Sequence, residues 1–193
     1  MTVNAHMHRS LILGGVKSGK SGYAERLADA YSKEHSHQVI LIATATALDD
    51  EMRKRINRHK VDRNKQWLVV EEPLAVASAI AAADQTIAND ESRPCIVIDC
   101  LTLWVTNLLM KSDETFLRQE IGAFQQSVKA CQSRLIMVSN ETNMGVTPMG
   151  ELSRRFCDET GLLHQNLGQI CEHIALVVAG NSLNIKGHSH PEL

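Results

Sequence analysis

Apolar residues follow two rhythms along this chain, and the alternation between them sets out a fold. Short, nearly unbroken apolar runs at Leu11–Leu13, Val39–Ala43, Cys95–Asp99, Leu135–Ser139 and Ile174–Gly180 predict strands buried on both faces of a sheet. Between the first two, Tyr23, Ala24, Leu27, Ala28 and Tyr31 return every three or four residues, which predicts a helix with one apolar face. Helices are likewise predicted over Leu74–Ala88, Leu101–Met110, Glu114–Cys131 and Gly150–Ile170, and from the acidic Asp49-Asp50-Glu51 to about Asp62. Trp67–Glu72 predicts a short strand that Pro73 ends, and Asn184–Lys186 a short antiparallel edge. Strands alternating with helices give the α/β class, a mostly parallel sheet flanked by helices with right-handed crossovers. One domain over residues 1–187 is expected, with a disordered tail at 188–193; the chain has no internal repeat.

The first strand runs without a gap into Gly14-Gly15-Val16-Lys17-Ser18-Gly19-Lys20-Ser21, which meets the phosphate-binding pattern G-x-x-x-x-G-K-[ST] at every required position. Glycines let the backbone turn tightly and offer successive N–H groups to phosphate oxygens, while a helix starting near Ser18 aims its positive end at the same point. Lys20 then reaches the outer phosphates, and the Ser21 hydroxyl has the length to hold a magnesium ion that bridges them. The pattern sits where it needs to, after a strand and before a helix. The chain is therefore read as a nucleoside triphosphate-binding domain.

Composition narrows the partners. A chain of 193 residues with 44% hydrophobic and 22% charged content suits one soluble globule with a real core. Its net charge of −2 gives no global attraction to nucleic acid or anionic membrane, and 4% aromatics leave too few rings for a base-stacking surface. The five cysteines are odd in number and lack a C-x-x-C pair, so they are expected to be buried thiols in a reducing compartment. Met1–Ser10 has no apolar signal-peptide core and no run is long enough to span a bilayer, which makes the expected location cytoplasmic.

The remaining candidate chemistry lies where predicted parallel strands end, the side on which such sheets bind ligands. Thr44-Ala45-Thr46 follows the second strand and is a candidate nucleotide contact. Asp99 closes an apolar strand, the position of the magnesium-holding carboxylate of nucleotide-hydrolysing cores; the competing reading is a cap for the helix from Leu101. Arg53, Lys54, Arg55, Arg58, Lys60 and Arg63 crowd six cations into eleven residues, either a solvated face or an anion site beside a triphosphate. Of nine histidines, six lie in tails or a connection; of His59, His164 and His173, His59 alone sits among clustered cations.

Several stretches together resemble one family over nearly the whole chain. They are Gly14–Ser21, Ile42-Ala43-Thr44-Ala45, Asp49-Asp50-Glu51-Met52 with Arg55-Ile56 and His59-Lys60, Thr106-Asn107-Leu108-Leu109, and Ser139-Asn140-Glu141 with Gly145 and Pro148. The family is the bifunctional adenosylcobinamide kinase and adenosylcobinamide-phosphate guanylyltransferase of cobalamin biosynthesis. The resemblance implies a P-loop NTPase of RecA-like type that assembles as a homotrimer. It implies two steps: ATP or GTP phosphorylates the aminopropanol hydroxyl of adenosylcobinamide, then GTP donates GMP to the new phosphate through a covalent histidine–GMP intermediate. By position the histidine is His59, and Lys60, Val61, Asp62, Arg63, Glu71 and Asp99 are implied to lie around the nucleotide. The chain departs from the family in carrying Thr142-Asn143 where relatives often have Val-Gly, His164 where they often have Asn, and Asp99 where they frequently have Glu. Asn143 is expected to keep the loop by taking a left-handed turn conformation.

Two other functions fit the same loop. A small-molecule kinase needs Gly14–Ser21 but no covalent histidine, and a regulatory nucleotide switch needs hydrolysis alone, although the Asn-Lys-x-Asp guanine signature of switch GTPases is not in the chain. Covalent attachment of GMP separates both from the bifunctional reading.

Overall fold

The computed structural model describes residues 9–35, 38–46, 66–86 and 93–188; the predicted helix from Asp49 to Asp62 and the tail beyond His188 lie outside the described residues. Seven strands form one sheet: β1 (Arg9–Gly14), β2 (Val39–Ala43), β3 (Leu68–Glu71), β4 (Cys95–Asp99), β5 (Arg134–Asn140), β6 (His173–Val178) and β7 (Asn181–Lys186). Their order across the sheet is β3-β2-β4-β5-β1-β6-β7, with every pair parallel except β6 and β7. Five helices are described: α1 (Lys20–His35), α2 (Val76–Asp84), α3 (Leu101–Leu109), α4 (Glu114–Ala130) and α5 (Glu151–Ile170).

The inner strands β1, β2, β4 and β5 read as continuous apolar runs because both their faces are covered. Successive side chains point to opposite faces, so Ile12, Val97, Ile136, Val138 and Ala175 meet Tyr23, Ala24, Leu27, Ala28 and Tyr31 of α1. Their neighbours Leu11, Leu13, Ile96, Ile98, Leu135 and Met137 meet α2, α3, α4 and α5 in the larger core. Trp104 anchors that side, fully buried, its ring 4.7 Å from Phe124 and its indole N–H donating to the Leu74 carbonyl at 2.7 Å. Helix α4 starts where it does because the Asp113 carboxylate accepts from the Phe116 N–H at 3.0 Å.

Strand β7 is longer than the Asn184–Lys186 edge expected from sequence. Ala179 and Gly180 both adopt positive φ, 51° and 81°, and make a two-residue turn whose twist matches the strands it joins, so pairing resumes at once between Val178 and Asn181. Ala-Gly lacks the usual Asn-Gly or Asp-Gly signature of that turn, which is why the sequence does not announce it. The cysteines are free, and all but Cys157 are buried; burial pushes the Cys95 and Cys171 thiols up to about 12. No helix among the described residues is long and apolar enough to cross a membrane.

Candidate active site

Strand β1 delivers the phosphate-binding loop to the centre of the sheet's C-terminal edge. The loop closes with the Ser18 N–H on the Gly15 carbonyl at 3.2 Å, and α1 begins at Lys20, its free N–H groups directed at the loop's hollow. Two glycines are required by what lies beside them. A Cβ on Gly14 would stand 2.5 Å from Ser18 Oγ and 2.6 Å from the Val177 carbonyl oxygen, and Gly19 combines φ of +98° with a 3.1 Å approach to Gly180 Cα. The loop also leans on the β6–β7 turn, where the Gly180 N–H donates to the Ser18 carbonyl at 2.8 Å. Lys20 is buried, its ammonium donating to the Gly15 carbonyl at 3.1 Å, within the loop whose phosphates it is built to meet.

Replacing Gly14 by alanine is therefore expected to weaken nucleotide binding at least tenfold and to lower stability by about 1–3 kcal/mol, since the Val177 carbonyl is backbone and cannot turn aside. Nucleotide titration and thermal melting of the variant read the two effects, and wild-type affinity would show that the loop can open there.

Strand β5 lies between β1 and β4, so the loop and Asp99 face each other across the end of β5. Gly14 stands level with Asn140, and Asp99 level with Val138 on one side and Ala43 on the other, with Glu71 next beyond Ala43. Burial, the largest influence, pushes the Cys100 thiol up, with the Asp99 carboxylate adding to the shift and the Lys20 ammonium opposing it. Two buried polar atoms at this mouth, Ser18 Oγ and Asn140 Oδ1, have no hydrogen-bond partner among the described residues. Magnesium takes hard oxygen ligands and keeps several waters and phosphate oxygens, so one hydroxyl and one carboxylate are enough protein for it. Ser21, at the start of α1, and Asp99, at the end of β4, offer a hydroxyl and a carboxylate of that kind, and Asn140 Oδ1 is an acceptor without a partner among the described residues.

Thr44, a candidate nucleotide contact, is fully buried: its hydroxyl donates to the Cys100 carbonyl at 2.7 Å and accepts from the Cys100 N–H at 2.9 Å, which makes it a clamp between β2 and β4. Its carbonyl is held by the Asn107 amide at 2.8 Å, and Asn107 also binds the Pro73 carbonyl and receives the Thr46 hydroxyl at 2.9 Å. Asn107 in α3 thus fixes the loop 44–46, while the Thr106 hydroxyl turns back on the Thr102 carbonyl at 2.9 Å. Val16 and Lys17 are exposed at the loop's crest, and Lys17 holds a positive φ of 58°, a conformation uncommon for a side-chain-bearing residue. His59, Lys60, Val61, Asp62 and Arg63 lie outside the described residues.

A second cluster forms around β5 and α5. His164 Nε2 is 2.7 Å from Ser139 Oγ, and its Nδ1 faces Glu141 Oε2 at 3.9 Å; burial holds the imidazole below its usual pKa, against the smaller upward pull of Glu141. The other Glu141 oxygen accepts from the Asn143 N–H at 2.7 Å. Asn143 does not use the left-handed conformation expected of it; its side-chain amide instead donates to the Cys157 carbonyl at 3.0 Å, in a space that the missing side chain of Gly161 leaves open. Beside this cluster an apolar cavity of about 370 Å³ opens between the end of α3, the 142–148 loop and α5.

Strand, glycine loop, Lys-Ser at a helix start and a carboxylate two strands away define a P-loop NTPase of RecA-like type. The solved structure of an ATPase domain shares this fold with a TM-score of 0.55 over 96% of this chain and 78% of that one, at 13% identity. The chain belongs to the cobinamide kinase / cobinamide phosphate guanyltransferase family, whose model matches residues 10–185. The bifunctional adenosylcobalamin biosynthesis protein CobP of Pseudomonas aeruginosa is 45% identical over 179 residues, covering 93% of this chain and 98% of its own. The bifunctional adenosylcobalamin biosynthesis protein CobU of Escherichia coli is 34% identical over 189 residues, covering 91% of this chain and 98% of its own.

Proposed function

We propose that this bifunctional enzyme phosphorylates the aminopropanol hydroxyl of adenosylcobinamide with ATP or GTP and then, using GTP, passes GMP through His59 to the new phosphate, releasing pyrophosphate. The observation that carries the reading is the loop itself: buried Lys20, the α1 N-terminus and the unpartnered Ser18 hydroxyl converge on one hollow at the end of β1. In the first step Lys20 and the loop N–H groups meet charge that moves onto the bridging and outer phosphate oxygens as the γ-phosphoryl group leaves. Ser21 and Asp99 would hold magnesium, which supplies charge neutralisation across the phosphates.

In the second step the neutral imidazole of His59 attacks the α-phosphorus of GTP. The bond from that phosphorus to the bridging oxygen breaks, pyrophosphate departs with the electron pair, and the phosphoramidate then yields GMP to the cobinamide phosphate. Lys60 and Arg63 supply cations for the departing pyrophosphate, with Val61, Asp62, Glu71, Thr46 and Ala45 completing the nucleotide's surroundings. Incubation of purified protein with adenosylcobinamide, magnesium and α-labelled GTP tests the whole reading: adenosylcobinamide-GDP and a labelled protein are expected. Product without label would replace the covalent route by direct transfer, and phosphorylated product alone would leave a kinase.

Replacing Asp99 by asparagine keeps the shape and removes the charge, so kinase activity is expected to fall about tenfold or more, with a higher magnesium requirement. A cap role predicts an unchanged magnesium titration, because asparagine caps as well as aspartate. The reading includes a cytoplasmic homotrimer. Leu68, Val69 and Val70 on edge strand β3, and Leu183 and Ile185 on β7, expose apolar side chains suited to self-association, and sedimentation of the intact protein gives its mass.

A further inference from the structure

We infer that Glu141 receives the proton of the acceptor hydroxyl in the kinase step, with His164 as a positioning residue behind it. The inference rests on the kinase reading above and adds to it the group on the acceptor's side of the reaction.

Three features place Glu141 there. Its N–H donates to the Gly14 carbonyl at 3.0 Å, extending the β1–β5 ladder by one residue and fixing its backbone to the first residue of the phosphate-binding loop. The next residue, Thr142, lines the apolar cavity of about 370 Å³ together with Leu109, Met110, Pro148, Leu152 and Phe156. An acceptor that lodges apolar bulk in that cavity and presents a hydroxyl to a phosphate in the loop must pass Glu141. Third, the carboxylate is largely buried and already oriented: Asn143 holds Oε1 at 2.7 Å, and Oε2 looks towards His164 Nδ1 at 3.9 Å, too far for a hydrogen bond. His164 Nε2 pairs with the Ser139 hydroxyl at 2.7 Å, which leaves Nδ1 as the ring nitrogen that faces the carboxylate. Burial disfavours the charged form of the imidazole, so His164 stands beside the carboxylate without a full ion pair.

Among the described residues, the other carboxylates considered near the sheet edge are committed or distant. Glu72 Oε1 accepts from the Leu74 and Ala75 N–H groups, both Glu159 oxygens are taken by Arg118, Asp99 is the proposed metal ligand, and Glu71 lies on β3, at the far edge of the sheet from the loop. In the step itself the acceptor oxygen forms its bond to the γ-phosphorus while its O–H bond breaks and the proton passes to Glu141 Oε2. The bond from γ-phosphorus to the β,γ-bridging oxygen breaks, the nucleoside diphosphate leaves with that electron pair, and the carboxylic acid then returns its proton to water.

The test is Glu141→Gln, whose amide oxygen still accepts from the Asn143 N–H but takes no proton. Kinase kcat is expected to fall about 10²–10³-fold, with the nucleotide KM and the GMP labelling of the protein unchanged. A kinase rate within about threefold of wild type would overturn the inference, and so would loss of labelling alongside kinase activity, which marks a collapsed loop. His164→Leu is expected to lower kcat about tenfold at constant KM, and His164→Asn, which restores a donor, to recover most of it. A change carried by KM instead would overturn the positioning role. A wild-type protein that phosphorylates no adenosylcobinamide refutes the functional reading itself, which separates that failure from this one.

Discussion

Protein carrying His59→Ala is expected to take up no label from magnesium and α-labelled GTP, whereas the wild-type protein takes up GMP in a bond that is acid-labile and alkali-stable. Those stabilities are the mark of a phosphoramidate, since a phosphate ester on serine or threonine has the opposite pattern. The motive is chemical position: His59 stands between Arg58 and Lys60 in a stretch crowded with cations that suit a departing pyrophosphate. Of the other two histidines in predicted elements, His164 is buried against Ser139, and His173 is buried between Ser10 and Asn184. Both ring nitrogens of His173 are engaged, which leaves His164, with Nδ1 unbonded, as the next candidate. Because phosphoryl transfer uses the loop and its metal without a covalent intermediate, the variant is expected to keep a substantial part of its kinase activity. Full labelling of His59→Ala would move the nucleophile elsewhere.

Lys20→Ala strikes both reactions. Its ammonium is buried and aimed into the loop, so truncation removes a charge-assisted contact that strengthens as negative charge shifts in the transition state. Kinase turnover is expected to fall about a thousandfold, about 4 kcal/mol of transition-state stabilisation. Labelling with GMP is expected to fall with it, in contrast to the separation produced at His59. Alanine suits the first turn of a helix, so the melting temperature should stay close to that of wild type. Adenosylcobinamide phosphorylation at a near-normal rate by this variant would refute the role.

Sheet, helices and loop were legible because each leaves a periodic or spaced trace. Val39–Ala43 and Leu135–Val138 had to be buried on both faces, and α1 declares itself by Tyr23, Leu27 and Tyr31. Strand order was not legible, and it is the order that puts Ser139, Asn140 and Glu141 between the loop and Asp99. The same blindness explains Thr44: a threonine after a strand offers a hydroxyl to whatever is near, and only the β2–β4 register shows that the Cys100 backbone takes it. His164 looked like a departure without a partner because Ser139 lies 25 residues away in sequence and 2.7 Å away in space.

The turn at Ala179–Gly180 that braces the loop has a consequence for how the protein comes into being. The glycine loop is made among the first residues of the described chain, but the carbonyl of Val177 and the N–H of Gly180 that shape it arrive about 160 residues later. At roughly 5–20 residues per second, a ribosome carries the unfinished loop for about 8–32 s before its brace exists. Strand β1 waits as well, since both its neighbours, β5 and β6, are late. A nascent chain cut short before β6 thus has every residue of the phosphate-binding motif but lacks the distant backbone contacts that brace it.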